Sequence, residues 1–150
     1  MSKLLYNLHA LCLSAAELRK LNAFHVKCLR RILHISYAYY SRVPNTEVLR
    51  QAGLRKLSSI LLERQLLLMG DYARRSDQDV MRRSILKAGT AEPNLAQGSR
   101  KRGRPRKLWA STVFHHAMQA AGSHENLQIL WQDDSSAIAG CKSCVRHYCV

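Results

Sequence analysis

Helical punctuation is the feature that most restricts the fold of this 150-residue chain. Ser14 and Glu17 have the spacing of a capping box, in which a hydroxyl and a carboxylate each satisfy a free amide at the start of a helix. The box opens onto Leu18, Leu21, Phe24, His25, Cys28, Leu29, Ile32 and Leu33, at steps of three and four, and this predicts an amphipathic helix over about 15–34. Its other face carries Arg19, Lys20, Lys27, Arg30 and Arg31, which are read as a solvated or phosphate-contacting surface. Asn45 is expected to cap a short helix to about Ala52, with Gly53 in the left-handed position that ends it. A longer helix over about 57–75 follows, through Leu57, Ile60, Leu61, Arg64, Leu67 and Leu68.

Between these helices, residues 35–44 have no period and end on a proline, so they read as a connection whose three tyrosines are expected to pack under the core, with stacking on nucleic-acid bases as the alternative. Helix, glycine turn and helix could form a DNA-reading pair. Leu66, Leu67 and Leu68, however, make the second helix apolar on too broad an arc for a groove, which favours an antiparallel hairpin in a core. Ser76 or Asp77 starts a helix over about 78–87 that Gly89 closes. Residues 89–107 then hold Gly89, Pro93, Gly98, Gly103 and Pro105 with almost no large apolar side chain, the composition of an exposed arm. Trp109 to Gly122 reads as a helix, Ser123 caps a shorter one, and Ala137 to Tyr148 is expected to be the last. The expected fold is therefore all-α: a helical core of four to five helices at 1–88, a basic flexible arm at 89–107 and a small C-terminal helical unit at 108–150.

Charge narrows the function. The chain has 24 Lys and Arg against 10 Asp and Glu, a net charge of +14, and residues 109–150 contribute none of the excess, with 2 basic and 3 acidic side chains. A polyanionic partner follows. No apolar run approaches the ~18 residues needed to cross a bilayer, so no membrane role is expected. The opening Met1 to Ser14 has a superficial likeness to a secretion signal, but Asn7 and His9 interrupt its apolar stretch, and no leader is expected. Cys12, Cys28, Cys141, Cys144 and Cys149 form an odd set, which suits a reducing compartment.

The densest charge is Arg100-Lys101-Arg102-Gly103-Arg104-Pro105-Arg106-Lys107, six cations in eight residues with no acid. This run resembles an AT-hook, the minor-groove motif centred on Arg-Gly-Arg-Pro. Gly103 lacks a Cβ to hold the backbone off the groove floor, Pro105 keeps an extended direction, and Arg102 and Arg104 suit a narrow A·T-rich groove. Cys141, Cys144, His147 and Cys149 invite a zinc reading, but they crowd into nine residues and Cys141 and Cys144 fall in one helical stripe with Val145 and Tyr148. No metal or other cofactor is assigned. Asp133-Asp134 reads as a loop and cap, because two-metal chemistry needs further rigid acidic ligands. His115 and His116 point about 100° apart on a helix and do not suit one metal.

Four segments, in order, resemble one family: Leu21–Leu33 (LNAFHVKCLRRIL), Arg42–Leu54 (RVPNTEVLRQAGL) leading into Leu57–Leu66 (LSSILLERQL), and Arg102–Trp109 (RGRPRKLW). Together, over about residues 3–120, they are similar to the thumb-like region that follows the polymerase domain in reverse transcriptases of non-LTR, LINE-type retrotransposons. The resemblance implies helices that grip a nucleic-acid duplex, DNA or RNA, with Lys27, Arg30 and Arg31 toward its backbone, and it implies a nuclear protein. The chain departs from the family at Asn7 and His34, where glycine is expected, and at Asp71, where histidine tends to follow Gly70. The palm with its catalytic aspartates and any endonuclease are absent from the chain, so an enzyme is not expected. A self-standing chromatin protein of AT-hook type, and a remnant without selected function, are the alternatives.

Overall fold

The protein is described by a computed structural model, which covers residues 5–90, 92–94 and 108–132. Among these residues the structure is all-α: α1 (Ala15–Ile32), α2 (Ala38–Ser41), α3 (Asn45–Gln51), α4 (Leu57–Arg74), α5 (Val80–Ile85), α6 (Trp109–Ala121) and α7 (His124–Gln132), with a 3-10 turn at Leu8–Ala10. The described chain falls into two compact units, one of Leu13–Leu61 and one of the residues before and after it. The expected division at 88 and 107 followed composition. The observed one follows burial, because the apolar residues of α4 and those beyond 108 share a core.

In the first unit, α1 starts where the capping box places it: the Glu17 amide donates to Ser14 Oγ at 3.3 Å, and the Ser14 amide donates to Glu17 Oε2 at 2.7 Å. The Ser14 amide and, at 2.7 Å, the Ser14 hydroxyl both donate to Oε2, and they hold the exposed Glu17 carboxyl below its ordinary value. Val26 and Leu29 of α1 pack on Val48 and Leu49 of α3, with Leu33, Ile35, Val43 and Ala52 around them. The partner of α3 is thus α1, in place of the expected hairpin with α4. Asn22 ties α1 to the start of α4 with Nδ2 donating to Ser58 Oγ at 2.9 Å and Oδ1 accepting from the Ser58 amide at 3.0 Å, which satisfies a first-turn donor that no local side chain reaches.

Three local expectations change. Asn45 is the first residue of α3, preceded by Pro44 without a side-chain cap, because its Oδ1 accepts from Arg30. The 35–44 connection contains the one-turn helix α2, ended by Arg42 at φ 52°. Phe24 and Ile32, read into the apolar stripe, are 53% and 70% exposed, since α1 is covered only on its Val26–Leu29 side.

In the second unit, Leu66 and Met69 of α4 and Leu86 pack with Val113 and Ala117 of α6 and Leu127 and Trp131 of α7. The indole of Trp109 donates to His9 O at 2.8 Å, and Gln65 Nε2 donates to Leu11 O at 3.1 Å, which fastens the N-terminal turn. Asp79, two residues beyond Asp77 and three beyond Ser76, caps α5 by accepting from the amides of Met81 and Arg82. The buried Arg82 donates to Asp77 Oδ1 at 2.7 Å, to Ala73 O and to Thr90 O. Part of the stretch read as arm is therefore anchored: Leu86 and Pro93 form an isolated antiparallel bridge, and the Asn94 amide donates to Ile85 O at 2.8 Å. Gly53, Gly89 and Gly122 have positive φ, as their turn positions demand. Asn7 and His34, where glycine was the expected residue, also have left-handed backbone, at φ 58° and 54°.

Candidate nucleic-acid interface

The basic face of α1 does not act as one surface. Arg30 is 6% exposed, and its guanidinium is turned inward on the 36–45 connection. One terminal nitrogen donates to Ser36 O at 2.9 Å and Ser41 Oγ at 3.2 Å; the other donates to Val43 O and to Asn45 Oδ1 at 3.2 Å. A planar fork of donors suits this set, which a lysine could not satisfy. The expected phosphate contact by Arg30 is therefore corrected: its hydrogen-bonding capacity is used within the fold, and it shapes the connection.

Lys27 and Arg31 behave otherwise. They lie one turn apart, both are exposed, and neither pairs with an acid among the described residues. Both line a cleft of about 510 Å³ that runs between α1 and the connection, past Arg30, Tyr37 and Tyr40. Its lining contains no carboxylate. At ~100° per residue Lys20 and Phe24 fall within roughly 60° of Lys27 and Arg31, so the outer face of α1 carries an exposed ring among three cations.

The tyrosines expected to pack are out in solvent: Tyr37, Tyr39 and Tyr40 are 60%, 86% and 76% exposed. Tyr39 meets Tyr40 edge to face, with ring centroids 5.3 Å apart and planes at 85°. Arg30 pins the backbone on both sides of α2, and Tyr39 and Tyr40 of that turn stand outward. Phe24 is thus the residue that sequence reasoning passed over, whereas for Tyr37 and Tyr40 it favoured packing over base stacking. Phe24 carried a usable signal, because it lies between Lys20 and Lys27 on one helical face.

Elsewhere the acids engage nearby cations. Glu47 receives Arg50 through two bonds of 2.7 Å and Gln51 at 2.9 Å, and these hold its carboxyl down at about 2. Asp71, Asp77, Asp79 and Glu92 pair with Arg74, Arg82, Arg75 and Lys87. The run Arg100, Lys101, Arg102, Gly103, Arg104, Pro105, Arg106 and Lys107 lies outside the described residues, as do Asp133, Asp134 and the Cys141–Cys149 cluster. Among the described residues no three His, Cys, Asp or Glu side chains gather as a metal site requires, and no helix is long and apolar enough to cross a membrane. Compared with protein-family models, curated proteins and solved structures, the chain matches none.

Proposed function

We propose that this chain binds nucleic acid with little sequence preference, as a derivative of the post-polymerase region of a LINE-type reverse transcriptase. The observation that carries the reading is the cleft on α1, where Lys27 and Arg31 are exposed, unpaired with any described acid and free of carboxylate neighbours in the lining. A phosphodiester backbone is the polyanion such a site suits. Left-handed backbone at Asn7 and His34 supports the derivation, because the resembled family expects glycine at both places. On this reading the chain is not an enzyme, uses no cofactor, takes a DNA or RNA duplex as partner and works in the nucleus, with residues 100–107 adding phosphate contacts. The complete Arg102-Gly103-Arg104-Pro105 core favours a second reading, a self-standing AT-hook-type chromatin protein.

Fluorescence anisotropy with A·T-rich and G·C-rich duplexes across a salt series tests both. Changing Lys27 and Arg31 to Gln lowers the log-log salt slope by about 0.9 each, and neutralising the six cations of 100–107 lowers it by roughly three to five. Slopes unchanged by both sets reject nucleic-acid binding through these residues. A larger loss for Arg104→Ala on the A·T-rich duplex than on the G·C-rich one selects the second reading.

A further inference from the structure

Two tyrosine rings line the same cleft as Lys27 and Arg31, and both are mostly in water. A ring left exposed while an apolar core stands beside it forgoes burial worth more than almost any other side chain's. The connection is not loose, however. Arg30 holds Ser36 O before α2 and Val43 O after it, and Ser41 Oγ links the Arg30 guanidinium to the backbone of the turn. The same turn packs Tyr39 edge-on to Tyr40 at 5.3 Å, which restricts Tyr40 from one side. The backbone that carries the rings is therefore fastened beside a basic cleft.

A duplex offers such rings only sugar and phosphate, since its base faces are already stacked on one another. An unpaired strand offers both parts of the site a partner: a base face for the aromatic ring and a phosphate for the cation. A cleft of about 510 Å³ is also within the ~300–1,000 Å³ range of sites that enclose a small organic group. We infer that this cleft receives an unpaired nucleic-acid strand, stacking a base on Tyr37 or Tyr40 while Lys27 and Arg31 hold the adjacent phosphates. The inference rests on the nucleic-acid-binding reading above and adds to it the form of the ligand.

The test uses the full chain, with residues 100–107 natural and again with their six cations changed to Gln so that the cleft is the main anchor. The probes are labelled oligo(dT) of 15 nucleotides and a blunt 15-bp duplex. In the Gln background, Tyr37→Ala/Tyr40→Ala weakens oligo(dT) binding at least fivefold, the low end of base–aromatic stacking, and duplex binding less than twofold. Tyr37→Phe/Tyr40→Phe retains the affinity, because the ring face and not the hydroxyl does the stacking. Both tyrosines lie outside the core, and circular dichroism confirms that the variants stay folded. Equal losses on both probes, or no loss on oligo(dT), overturn the inference. Lys27→Gln/Arg31→Gln separates the two levels: if it weakens both probes while the tyrosine variants weaken neither, the cleft binds phosphate alone and only the present inference fails. If it weakens neither, the cleft reading fails and this inference falls with it.

Discussion

Arg30 separates a structural cation from a binding one, and the two roles predict different measurements. Its guanidinium donates to four oxygens, two of them main-chain carbonyls at Ser36 and Val43 and two of them on the side chains of Ser41 and Asn45. The side-chain acceptors can turn toward water when the cation is removed, whereas the carbonyls are fixed by the backbone. Counting only those two, at ~1.5 kcal/mol for each bond from a charged donor, gives a cost of about 3 kcal/mol for Arg30→Met, which keeps the aliphatic stem. Arg30→Lys keeps the charge but cannot span acceptors on residues 36, 41, 43 and 45, so it recovers less than half of the loss. Urea unfolding followed at 222 nm reads the cost. Binding supplies the contrast: Arg30→Met leaves the duplex salt slope unchanged, while Lys27→Gln lowers it by about 0.9. A slope reduced by about 0.9 in Arg30→Met, with a stability loss under about 0.5 kcal/mol, would refute the reasoning and return Arg30 to the ligand.

Other residues give further tests. His34→Gly relieves a non-glycine residue at φ 54° and raises stability by about 0.5–1 kcal/mol in the same unfolding assay; a loss of stability contradicts the left-handed assignment. His25 is 5% exposed with neither ring nitrogen hydrogen-bonded, and burial holds its pKa below the ordinary 6.5. The unfolded chain therefore takes up this proton first as pH falls through 6.5, and stability is lost below that pH. His25→Leu removes that component, so its advantage over wild type should grow from pH 7.5 to 5.5; an advantage constant with pH counts against it. At Gly70 an added Cβ meets Trp131 Cδ1 at 3.4 Å, an ordinary contact. Gly70→Ala is accordingly neutral or stabilising by up to ~1 kcal/mol through helix propensity, whereas Gly70→Leu displaces the buried indole and shifts its fluorescence to the red.

Local structure was legible because its signals are local. The Ser14–Glu17 box, Gly53 and Gly122 specify helix ends through groups a few residues away, and the ends of α1, α4 and α6 fall within two residues of expectation. What the sequence did not disclose depends on chain segments distant from the residue concerned. Arg30 and Arg31 are adjacent and chemically identical, and only the return of residues 36–45 over α1 makes one a buried hub and leaves the other in solvent. The same return exposes Tyr37 and Tyr40. Phe24 and Ile32 satisfy the three-and-four spacing yet lie beyond the edge of the buried arc, which α3 sets through Val48 and Leu49. Asn45, a plausible cap by position, was claimed by Arg30 instead.

The core of the second unit draws on both sides of the basic run. Leu66, Met69 and Leu86 precede it, Val113, Ala117, Leu127 and Trp131 follow it, and they bury one another. The flanks are fastened separately, Asn94 to Ile85 and Arg83 on one side and Trp109 to His9 on the other. The two surfaces are complementary and belong to one chain, and a covalent connection raises their local concentration to the order of millimolar. A protease nick among those arginines would leave two polypeptides that stay together and remain helical. Expressed as separate pieces, 1–98 and 108–150 should find each other and rebuild the Leu66–Trp131 core without residues 99–107.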